Sequence, residues 1–123
     1  MSIHEQWLLS AEEDYDSAIV LFNGKLNSPS IFHTQECAEK ALKAFLAYKN
    51  MIIPKSHNLD ELCLKCCELD QVFDTIYMNA IDLNGFDVRF RYPGTVLDPS
   101  VKDVQNAIID SELIFDFVKS KCI

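Results

Sequence analysis

The chain has 123 residues, 49% of them hydrophobic and 24% charged, with a formal net charge of −8. That length suits one domain over residues 1–123 with its own core, and the acidic excess weighs against non-specific binding to nucleic acid, DNA included, or to an anionic membrane. No apolar run approaches spanning length, no signal-peptide pattern opens "MSIHEQWLLSAEED", and five cysteines in such a setting read as reduced thiols, so a cytoplasmic protein is expected.

The first predicted helix runs from Ile3 to about Phe22, where Leu8, Ala11, Tyr15, Ala18 and Phe22 recur at three- and four-residue steps and Asn23-Gly24 supplies a stop. Asn27 or Ser28 caps a second, with Pro29 near its first position, where a missing N–H costs nothing. Its stripe is Ile31, Gln35, Ala38, Leu42, Phe45 and Lys49, and it ends before Pro54. Asn58 with Glu61 three residues on is a capping-box signature for a third helix, with Leu59, Leu62, Cys63 and Cys66 as its apolar stripe.

A fourth helix is expected from about Asp70 to Leu83, stopped by Asn84-Gly85. The last begins near Asp98-Pro99-Ser100 and carries Val101, Val104, Ile108, Phe115, Val118 and Cys122, interrupted at Ser111. Between them, "FDVRFRY" alternates in strand fashion but has no partner strand, so residues 84–97 are expected to form a long extended loop lying on the helices. The fold class is all-α: an antiparallel four- or five-helix up-and-down bundle with a long loop before the last helix.

Four motifs stand in order on this pattern: Trp7 with Ala11, Asp14 and Ala18; Gln35, Glu39, Lys40 and Lys43; His57, Leu59 and Leu62; and Arg91, Tyr92, Pro93 and Gly94. Over nearly its whole length the chain resembles the HEPN family, helical domains often encoded beside or fused to minimal nucleotidyltransferases. The resemblance implies a bundle that commonly dimerises. Members bind nucleotides, partner a nucleotidyltransferase in toxin–antitoxin pairs, or cleave RNA without a metal. The cleaving members carry a histidine a few residues beyond an arginine; here no histidine follows Arg91, so the ribonuclease reading loses its most specific feature.

The only two arginines, Arg89 and Arg91, lie two residues apart beside Tyr92, while nine lysines are spread elsewhere. A guanidinium matches phosphate oxygens with a planar fork and stacks on rings. The bland alternative is that Arg91 pins its loop to a helix acid such as Asp14 or Glu39. Lys40 and Lys43 are candidate helpers at a phosphate, though Glu39 to Lys43 and Glu36 to Lys40 also suit ordinary helix pairing, about 0.2–0.5 kcal/mol each. His57 can titrate near neutrality, yet a histidine just before a helix cap is commonly structural. Asp14, Gln35 and Glu39 suit a structural polar network, since Gln35 falls on an apolar stripe and buried polar groups need partners.

Cys63, Cys66 and Cys67 lie within a helical pattern, where cysteine acts as a small hydrophobe, so no metal and no cofactor are expected. The reading is a binding module for a nucleotide or RNA phosphate with no catalytic residue of its own. It would act as a homodimer or docked on a nucleotidyltransferase. The rivals are a metal-independent ribonuclease using Arg91 and His57, and a purely structural interaction domain.

Overall fold

A computed structural model describes the backbone of residues 1–90 and 99–123, and the side chains of residues 1–86 and 99–123. Five helices follow in order: α1 (Ile3–Asn23), α2 (Asn27–Tyr48), α3 (Leu59–Leu69), α4 (Tyr77–Phe90) and α5 (Val101–Lys121), with a 3₁₀ segment, Gln71–Ile76, between α3 and α4. The described residues contain no strand, and the all-α bundle expected from the apolar periodicity is what forms.

Local chemistry sets most helix ends. Ser2 and Glu5 form a reciprocal capping box at the start of α1, and Ser100 with Asp103 does the same for α5. Asn58 Oδ1 accepts from the Glu61 amide at the start of α3. Both α1 and α2 stop by turning left-handed at a residue other than glycine, Lys25 (φ 63°) and Asn50 (φ 58°). There Leu26 donates back to the Leu21 carbonyl and Met51 to that of Leu46.

α2 is the spine, touching α1, α3, α4 and α5. From Cys37 to Leu46 nearly every residue is buried, and Ala38, Ala41 and Ala44 let neighbours approach closely. Below it Phe45 packs on Phe73 (centroids 4.3 Å apart) and Phe73 meets Phe117 edge-on at 4.8 Å. Cys63 and Cys66 complete this core, their thiols directed at the carbonyls of Phe73 and Leu42.

Three expectations need correction. Neither Asn27 nor Ser28 is the N-cap of α2; Leu26 takes that position, with no side-chain cap, and Asn27 is already helical. The segment after α3 is not one helix from Asp70: the Asp70 side chain accepts from the Val72 amide and starts a 3₁₀ segment first. Nor do Asn84 and Gly85 stop the next helix. α4 passes through both and continues to Phe90, so residues 86–90 of the supposed extended loop are helical. Asn84 caps a different helix instead, its Oδ1 accepting from the Leu59 amide at the start of α3. An unpaired extended run would leave its backbone groups without partners, whereas a helix satisfies them locally. The rest of the expected loop, residues 91–97, lies outside the described residues.

A Cβ added at Gly85 would meet nothing within 4 Å. Gly85→Ala is therefore expected to stabilise the protein by about 0.5–1 kcal/mol, measured by urea denaturation. A loss of stability would place a turn there instead.

Candidate functional site

Where α2 emerges from the core, its polar residues meet acids and histidines from its neighbours. Asp14 of α1 lies 2.6 Å from Lys40 Nζ and 2.8 Å from His33 Nδ1. One helical turn further along α2, Glu39 lies 3.0 Å from Lys43 Nζ, while both its oxygens stand 3.1 Å from Nδ1 of His57, which precedes the cap of α3. Each carboxylate thus sits between one lysine and one histidine. The Glu39 and Lys43 side chains are only 9% and 7% exposed, and that of His57 is 82% exposed. Lys43 also lies over the Trp7 ring, 5.8 Å from its centroid.

Beside this row a cleft of about 210 Å³ opens at the junction of α2, α3 and α4, lined by Phe32, Gln35, Glu36, Glu39, His57, Leu59 and Asn84. Gln35 donates Nε2–H to the Leu83 carbonyl of α4 at 2.9 Å. Glu36 is half-buried between the two acid–histidine pairs. Burial, then Glu39 and Asp14, push its carboxyl above the usual value, against the pull of Lys40 and His57.

Of the candidate residues, Gln35, Glu39 and His57 come together at the cleft. Lys40 and Lys43 do not line it; their charges are met by Asp14 and Glu39. Asp14 and Gln35 are not bonded to one another: the first holds Lys40 and His33, the second reaches α4. Arg89 lies in the last turn of α4, and its side chain, like Arg91 and Tyr92, lies outside the described residues. Sequence reasoning did not single out Phe32, His33, Glu36 or Asn84 as site residues. The one signal available was the three-residue step from Glu36 to Glu39, which sets two acids on neighbouring turns of a single helix face.

The thiols hold no such chemistry. Burial pushes Cys37 and Cys63 up to about 12 and raises Cys66 further, which keeps them neutral. Among the described residues no three histidines, cysteines or acids are grouped to hold a metal ion, and no helix is long and apolar enough to cross a membrane.

A bundle with this helix order and this polar row on its second helix defines a class of small helical domain. The HEPN domain family model matches residues 4–121, and the chain belongs to that family. Two solved structures share the fold. ST0689, described as an archaeal HEPN homologue, is 22% identical with a TM-score of 0.81, each chain covered in full. TT1696 from Thermus thermophilus is 20% identical with a TM-score of 0.85, covering 98% of this chain and 99% of that one. No curated protein matches the sequence.

The Glu36 carboxyl yields a signed pH dependence. Its folded-state pKa lies above the unfolded one, so as pH climbs past the ordinary glutamate range the unfolded chain releases a proton that the folded protein still holds. Stability falls as pH rises through that window, and the penalty is complete above the raised value. Glu36→Gln is expected to raise the melting temperature at about pH 7 and leave it unchanged at about pH 3, read by circular dichroism.

Proposed function

We propose that this HEPN domain is a nucleotide-binding module whose α2–α3–α4 cleft receives the base while Arg91 holds the phosphate. The observation that carries this reading is the cleft itself. It pairs an aromatic wall, Phe32, with carboxylate and amide groups from α2 and α4. At about 210 Å³ it suits one ring system and not a whole nucleotide, being smaller than pockets that enclose a drug-sized ligand. Glu36 and Glu39 line it, so a phosphate inside would face their repulsion while a base edge offers donors to them. The phosphate then belongs outside, near a guanidinium.

Arg91 directly follows α4. Asn84 at the cleft and Phe90 at the helix end are about 9 Å apart along that helix, a span comparable to that from a base to its own phosphate. One fork contributes about 1.5–3 kcal/mol per charged hydrogen bond, too little for tight binding alone. A second copy of the chain or a nucleotidyltransferase partner would complete the site, as in a toxin–antitoxin pair.

Titration calorimetry with ribonucleoside monophosphates and a short single-stranded RNA tests this at low and high salt. Binding is expected, weaker at high salt, and reduced roughly ten- to a hundredfold in Arg91→Ala with the melting temperature unchanged. Absence of binding by the wild type rejects the module. A lower melting temperature with binding intact would mark Arg91 as a brace.

One observation favours a second reading, a metal-independent ribonuclease. Glu39 accepts from Nδ1 of His57, which fixes the ring and leaves Nε2 directed outward on a largely exposed side chain, as a general base requires. On that reading His57→Ala abolishes cleavage of single-stranded RNA in the presence of a chelator and leaves RNA binding intact. RNA that stays whole with the wild type removes it.

A further inference from the structure

The two amides in the cleft have their ends assigned by their partners. The Leu83 carbonyl can only accept, so Gln35 must present Nε2 to it, and Oε1 remains as an acceptor. The Leu59 amide can only donate, so Asn84 must present Oδ1 to it, at 3.1 Å, and Nδ2 remains as a donor. Flipping Gln35 would set Oε1 against the Leu83 carbonyl oxygen, and flipping Asn84 would leave the first amide of α3 unpaired. Glu36, on the same lining, accepts without donating once ionised. Glu39, the other acid on the lining, is taken up by Lys43 and His57, so α2 and α4 hold two acceptors and one donor next to the ring of Phe32.

We infer that the cleft selects guanine among the four RNA bases, through Gln35, Glu36 and Asn84. This rests on the nucleotide-binding reading above. The pairing edge of guanine offers two donors, N1–H and the N2 amine, beside one acceptor, O6. The donors go to Gln35 Oε1 and the Glu36 carboxylate, and O6 accepts from Asn84 Nδ2. Adenine, cytosine and uracil each present a single donor group on that edge, so each leaves an acceptor of the cleft facing an acceptor or a C–H. An unpaired buried polar group is the costly outcome in recognition. Glu36 fits the role: a carboxyl already crowded by Glu39 and Asp14 and short of water gains from an incoming N–H group.

The test compares binding of guanosine, adenosine, cytidine and uridine monophosphates with inosine monophosphate, which lacks only the N2 amine. A short RNA strand with a single guanosine is set against its adenosine counterpart to separate a free nucleotide from a base within RNA. Guanosine monophosphate is expected to bind at least about tenfold more tightly than the other three, with inosine monophosphate weakened by about tenfold. Asn84→Asp keeps the bond to Leu59 and turns the donor into an acceptor, so it should erase the guanine preference. The inosine comparison uses the wild type and stands even if that variant fails to fold. Equal affinity for all five nucleotides, or a preference that survives Asn84→Asp, overturns the base selection and leaves nucleotide binding standing. No binding by any of them overturns both.

Discussion

The burial of α2 is the constraint on which the rest depends. A helix enclosed on most sides by four others has little water for its polar side chains, yet Glu39 and Lys43 sit within its buried length. They are tolerable there because they are 3.0 Å apart on adjacent turns of the same helix, one charge meeting the other. Removing either alone would strand the other, at about 3–5 kcal/mol. Asp14 and Lys40 repeat the arrangement between α1 and α2. The polar row is a condition of packing first. Any ligand chemistry is built on charges that the fold already had to arrange.

That arrangement decides what kind of ligand suits the cleft. With Lys40 and Lys43 matched by acids, the cleft itself offers acceptors, one amide donor and a ring, and little net positive charge. A base edge fits such a lining better than a phosphate does. The histidines occupy the outer positions, His57 most of all, each oriented through Nδ1 by a carboxylate that is itself held by a lysine. Orientation by a buried acid is a general way of fixing which ring nitrogen faces outward.

Much of the fold could be read from the chain because its signals are local. Ser100 before an apolar seam, Asn58 three residues before Glu61, and the steps of Leu8, Ala11, Tyr15 and Ala18 all act within one or two turns. Asn84-Gly85 misled because its role is tertiary: Asn84 serves the first amide of α3, a partner 25 residues earlier. Lys40 shows the same limit. Its sequence neighbour Glu36 was the obvious mate, but Asp14 on α1 is the nearer acid once the helices dock. Phe32 and Glu36 share a face of α2 at a four-residue step, but Asn84 joins their wall only once α4 docks, and no spacing within one segment encodes that.

The start of α2 carries one more consequence. Its N-cap is Leu26, which offers no side-chain acceptor, so the central helix lacks the local start signal that α1, α3 and α5 possess. What holds it instead is contact across the bundle: Ser30 Oγ donates to the Ala18 carbonyl of α1, and Asn27 Nδ2 to the carbonyl of Pro99. The first of these partners arrives across a three-residue connection, the second from the far end of the chain. Order of assembly follows from that difference in loop entropy. The α1–α2 hairpin can nucleate early by itself, and the arrival of α5 then locks the entrance of a helix that was incompletely fastened until then.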